Sequence, residues 1–125
     1  MSNITIPISV GELIDKITIL KIKTEKINDI EKLEYVSSEL KLLEMISIKF
    51  LENENIKELH NKLYDVNKKL WVIEESIRVK ENHKEFDSDF IQLSRKVYLT
   101  NDLRFKLKNE INQITNSIIK EQKSY

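Results

Sequence analysis

The chain has 125 residues, with 21 Lys and Arg against 21 Asp and Glu, so its formal net charge is zero. Balanced charge argues against a nucleic-acid partner, because affinity for a polyanion draws on an excess or a segregation of basic residues. The absence of cysteine removes disulfides, thiolate metal sites and thiol nucleophiles, and a single glycine leaves no material for a phosphate-cradling loop or dinucleotide fingerprint.

The length suits one helical domain over 1–125, and Leu, Ile, Val and Phe supply 43 residues for its core. No signal peptide and no membrane-spanning run is visible, so the expected location is cytoplasmic, with no membrane partner. Ile (19), Lys (18) and Asn (11) are over-used and Ala is missing, as an AT-rich genome would produce. Under that bias lysine is the default cation. The three arginines, Arg78, Arg95 and Arg104, therefore carry more information, since only Arg offers a planar bidentate fork.

In chain order, Ile4, Ile6 and Ile8 alternate around Pro7 and predict a short extended N-terminal arm. Ser9-Val10-Gly11-Glu12 reads as a capping box that opens a first helix with Leu13, Ile14, Ile17, Leu20, Thr24 and Ile27 on its core face. Asn28-Asp29 interrupts it. A second helix follows, with Leu33, Val36, Leu40, Leu43, Ile46 and Phe50 inward, and stops at the polar run 52–55. From about 55 to 82, Leu59, Leu63, Val66, Leu70, Ile73 and Ile77 alternate steps of four and three, the seam of a long helix packed nearly parallel to its partners. Asp87 caps a fourth helix, with Phe86 stapled to Ile91. Thr100-Asn101-Asp102 favours a bend or break near 100 and a fifth helix with Leu103, Leu107, Ile111, Ile114 and Ile118 inward, over the alternative of one continuous helix from 88 to about 121, which neither Gly nor Pro would interrupt. The expected fold is all-α: an elongated bundle of four to five helices, whose limited core makes association with a second copy a natural way to bury the remaining apolar stripes.

Three polar sets are candidates for ligand binding. In the first helix, Glu12, Asp15 and Lys16 lie close together; Glu12 and Lys16 have the spacing of a surface ion pair, or the set forms part of an ion site. In the third, Asn67, Trp71, Glu74, Arg78, Glu81 and Glu85 form a stripe beside the seam. It reads either as a solvated ladder or as a groove in which Trp71 and Arg78 receive a carboxylate or phosphate. Glu74-Glu75 invites comparison with the magnesium-holding Glu-Glu-x-x-Glu of helical nucleoside-triphosphate pyrophosphatases, but the third carboxylate is replaced by Arg78. In the last segment Asn101, Arg104, Lys108 and Asn112 share a face, with Asp102 alongside. Arg104 there needs an acidic partner, Asp102 or a carboxylate of the third helix, or an anionic ligand. His60 and His83 read as surface residues. Neither a catalytic residue, a metal ligand nor a cofactor is assigned.

The segments Ile8–Leu20, Leu70–Arg78, Phe86-Asp87, Val97–Arg104 and Glu121–Tyr125 together resemble a small family of bacterial and phage proteins of unknown function, over essentially the whole chain, with Gly11-Glu12-Leu13-Ile14-Asp15-Lys16 the most specific part. The resemblance implies a family domain but no activity, and Glu75 stands where similar sequences have Asp. Two functions follow as expectations. The first is a binding or adaptor module that acts through self-association as a homodimer. The second is a small enzyme or sensor for an anionic, phosphorylated metabolite, held in a groove of Arg, Lys and carboxylate side chains.

Overall fold

A computed structural model describes residues 2–125 as four α-helices: α1 (Val10–Lys26), α2 (Ile30–Leu51), α3 (Glu54–Asn82) and α4 (Ser88–Ile114). No strand occurs among the described residues. Each helix starts where a short polar side chain takes up a free amide. Ser9 accepts from Glu12 N–H, Asp29 from Lys32, Asn53 from Asn55 and Ile56, and Asp87 from Phe90. Only half of the expected capping box forms, because the Glu12 carboxylate reaches α4 instead of its own helix start.

α3 and α4 form a long antiparallel hairpin joined through residues 83–87, where Lys80 binds Glu85 at 3.2 Å and Asp87 at 2.9 Å. Both helices end in a Schellman turn. Glu85 N–H bonds Lys80 C=O and Ser117 N–H bonds Asn112 C=O, with Lys84 (φ 54°) and Asn116 (φ 51°) in the left-handed position that glycine usually fills. α1 packs into one end of this hairpin and α2 lies on the outside of α1. The core is therefore local: Ile14 of α1, Leu59, Leu63 and Val66 of α3, and Leu107 and Ile111 of α4.

α1 has 17 residues against 29 in α3, so at about 1.5 Å per residue it covers little more than half the hairpin. Across 71–106 no residue is fully buried.

Several expectations need correction. There is no break near 100; α4 runs unbroken through Thr100-Asn101-Asp102, because pairing with the long α3 outweighs the local capping signal. It stops at Ile114, and Ile118 is fully exposed. Phe86 packs edge-on against Phe90 at 5.3 Å, not against Ile91, which is exposed. In α2, Ile46 faces outward and Ser47 is the buried residue. The α3 seam is fully buried only from Ile56 to Leu70, where α1 covers it; Ile73 and Ile77 lie beyond that cover and are half-buried.

Candidate functional site

The site is built where α1 and α4 touch. Gly11 permits the contact: a Cβ there would sit 2.5 Å from the Lys108 carbonyl oxygen and 2.9 Å from Asn112 Oδ1. Its N–H donates to Asn112 Oδ1 at 2.7 Å. The chain's one glycine is thus placed by the close approach of two helices, and that approach brings the polar side chains of both within reach of one another.

One turn further along α1, Asp15 is completely buried. Its carboxylate accepts from Arg104 Nε at 2.9 Å and Nη2 at 2.5 Å, and from Asn67 Nδ2 at 2.8 Å. Asn67 also donates to Thr18 Oγ1 at 2.8 Å, and Thr18 donates to the Asp15 carbonyl oxygen at 2.7 Å. Three helices are joined through one carboxylate. Hydrogen bonding to the Asp15 carboxylate is the main reason that the Arg104 guanidinium is held above its ordinary pKa.

Lys108 is the second centre. Its ammonium lies 2.8 Å from Glu12, 3.0 Å from Glu121 and 3.9 Å from Asp15, with only 8% of the side chain exposed. Burial works against the charge, but the hydrogen bonds to Glu12 and Glu121 outweigh it and raise the pKa above that of ordinary lysine. Glu121 belongs to residues 115–125, a segment without regular structure from Asn116 onward that lies back across α4 like a strap. The Lys108 hydrogen bond holds its carboxyl below the usual range. Between strap, α1 and α4 lies a cleft of about 280 Å³, lined by Glu12, Arg104, Lys108 and Glu121. Asn101, Phe105 and Lys123 complete its wall.

A family model described as a family of unknown function, DUF6165, matches residues 4–125. The chain belongs to the DUF6165 family. No curated protein and no solved structure matches it. The DUF6165 match spans all four helices and the strap, so the cleft lies wholly within the family domain.

Of the predicted ligand-binding residues, Glu12, Asp15, Arg104, Lys108 and Asn101 come together at this cleft or directly behind it. Lys16 does not. It pairs with Glu39 of α2 at 3.1 Å, on another side of α1, and Glu12 takes Lys108 as its partner instead. Arg104 is paired neither with Asp102 nor with α3 but with Asp15, and it lies inside a continuous α4. Glu74 and Arg78 are exposed on the uncovered part of α3, and no ion pair links either to another described residue. Trp71 is half-buried, with its indole Nε1 enclosed and without a hydrogen-bond partner among the described residues. Asp102 is half-buried beside the site.

His60 also departs from expectation. It is 9% exposed, its Nε2 lies 3.3 Å from Lys21 Nζ and its Nδ1 lies 3.1 Å from Asn61 Oδ1. A lysine ammonium can only donate, so Nε2 is the acceptor and Nδ1 carries the proton. Thr18 and Glu121 were not singled out as site residues. A threonine three residues after Asp15 on an apolar face was the available signal for the first, and a lone acid in an irregular segment gave none for the second.

Among the described residues no group of three His, Cys, Asp or Glu could hold a metal ion, and no helix is long and apolar enough to cross a membrane. A different surface is left uncovered. Tyr35, Leu42, Met45 and Ile46 fall on one face of α2 and are 75, 64, 72 and 56% exposed. A groove of about 700 Å³ runs along the α3–α4 hairpin, with Val72 and Ile73 as its apolar wall and Lys68, Lys69 and Lys96 around it.

Proposed function

We propose that the protein is a self-associating helical module, in which a second copy covers the outer face of α2. The observation that carries this reading is surface area. A compact monomer of 14.9 kDa exposes about 7,000 Å² by the usual scaling, whereas this chain exposes 8949 Å². The excess of roughly 1,900 Å² is more than the approximately 800 Å² that each partner of a standard interface buries. Part of it belongs to the arm and the strap. The rest includes α2, whose 22 residues bury only Ser47.

A face with Tyr35, Leu42, Met45 and Ile46 side by side is the composition of an interface core rather than of a solvated helix, with tyrosine and methionine among the residue types enriched there. A homodimer acting as an adaptor in the cytoplasm fits the cysteine-free, charge-balanced composition. Sedimentation equilibrium on the whole chain tests the reading. The native protein is expected to dimerise, and Leu42→Glu with Met45→Glu is expected to yield a monomer of unchanged helicity. A native protein that stays monomeric at high concentration, or a charged variant that associates as strongly, overturns it.

A further inference from the structure

The charges of the cleft do not all cancel in the same way. Asp15 and Arg104 are closed on each other behind its wall. At its mouth stand two cations, Lys108 and Lys123, and two carboxylates, Glu12 and Glu121. Glu12 is fixed by the first turn of α1. Glu121 is carried by the strap, which has no helical hydrogen bonds of its own beyond the turn that ends α4.

Apart from the Glu121–Lys108 ion pair, the strap is held lightly. Ser117 Oγ accepts from Val10 N–H at a long 3.4 Å, and Lys123 lies 5.7 Å from the centre of the Phe105 ring. The Schellman turn at Asn116 already satisfies the last carbonyls of α4, so release of the residues beyond Ser117 does not unravel the helix. Lifting Glu121 away, and Lys123 with it, removes one of the two close carboxylate partners of the 8%-exposed Lys108 ammonium and leaves a place on it for another carboxylate. Two further donors are unspent there. Arg104 uses Nε and Nη2 on Asp15, and neither its Nη1 nor the Asn101 amide makes a hydrogen bond among the described residues.

We propose that this cleft binds a small carboxylate ligand, and that the Glu121 carboxylate is an internal stand-in which the ligand displaces from Lys108. The ligand's carboxylate takes the place of Glu121 on the ammonium, Arg104 Nη1 and Asn101 meet its other polar atoms, and Phe105 flanks its carbon skeleton. A carboxylate is favoured over a phosphate for two reasons. The group that now occupies the position is itself a carboxylate, and Glu12, 2.8 Å from Lys108, would repel the two charges that a phosphate dianion concentrates on one group. A volume of about 280 Å³ sits at the small end of ligand sites, which fits a short mono- or dicarboxylic acid. The proposal is independent of self-association through α2, and the failure of one leaves the other standing.

The test is titration calorimetry on the full chain with acetate, malonate, glutarate and inorganic phosphate, followed by amide NMR. A strap closed about nine times in ten weakens apparent affinity about tenfold, so Glu121→Gln is expected to bind the best carboxylate about tenfold more tightly than the native protein. Addition of that carboxylate to the native protein is expected to shift the amides of residues 117–123, and Asn101→Asp, a half-buried change away from the Lys108 cluster, to weaken binding without loss of fold. Carboxylate binding that Glu121→Gln leaves unchanged overturns displacement by the ligand. Absence of carboxylate binding to both proteins, or tighter binding of phosphate, overturns the assignment of the site.

Discussion

Asp15 of α1 and Arg104 of α4, separated by 89 positions in the chain, are joined by two parallel hydrogen bonds, and the carboxylate is the more deeply buried of the two. The Asp15 side chain is 1% exposed and that of Arg104 is 26% exposed, so the two cannot be removed at equal cost. A guanidinium that loses its partner still reaches water. A carboxylate in the interior does not.

Arg104→Ala is therefore expected to destabilise the fold by up to about 3–5 kcal/mol, the range for removing one partner of a buried ion pair, with Lys108 at 3.9 Å left to offset part of the Asp15 charge. Asp15→Asn, which keeps the shape and much of the hydrogen bonding to Asn67 and Thr18, is expected to cost less, about 1–2 kcal/mol. Urea unfolding of the two variants and of the double variant checks the order. Equal losses would show that Arg104 is not what makes burial of Asp15 tolerable.

Gly11→Ala isolates the helix crossing. Alanine has a better helix propensity by about 1 kcal/mol, but its Cβ would overlap the backbone oxygen of Lys108, and overpacking of that kind costs about 1–3 kcal/mol. Backbone cannot swing aside as a side chain can, so the net expectation is a lower melting temperature despite the gain in propensity. A rise in melting temperature would show that α1 and α4 slide apart freely at this point.

His60 sets an acid dependence. Burial lowers its pKa below the ordinary 6.5; the ammonium of Lys21 on α1 acts in the same direction, while Asn61 and the charge of Glu44 on α2 oppose the shift. The unfolded chain then binds a proton that the folded chain resists. Stability is complete above the unfolded pKa and is lost as pH falls through and below about 6.5, a window that lies above the glutamate range. The urea midpoint is expected to fall between pH 7.5 and 5.5, and His60→Gln to flatten that fall. An unchanged slope in the variant would assign the effect to another group.

The fold was legible where a signal belonged to one helix. Ser9 and Asp87 cap the helices that their positions announce, the interruption at Asn28-Asp29 falls between α1 and α2, and Leu59, Leu63, Val66 and Leu70 form the buried part of the seam they predict. Signals that depend on a neighbour were not. Thr100-Asn101-Asp102 has the composition of a helix start, yet it lies beside α3, which keeps the helix going. In α2 nearly every third or fourth residue is apolar on two faces, so periodicity alone could not decide between Ile46 and Ser47 as the inward residue. The site was half visible for the same reason: Arg104, Lys108 and Asn101 share one helix face, but that Arg104 meets Asp15 rather than Asp102 is set by the crossing at Gly11, a tertiary event.

The mismatch in length between α1 and the hairpin divides the molecule energetically. Residues 56–70 of α3 and 107–112 of α4 share a buried core with α1, whereas 71–100 hold together by contacts within a two-helix ribbon in which no residue is sealed from water. Such a ribbon is a separate cooperative unit of low local stability. Its amides are expected to exchange with solvent by partial openings before those of the core do, so that one end of the protein opens with the whole fold and the other opens on its own.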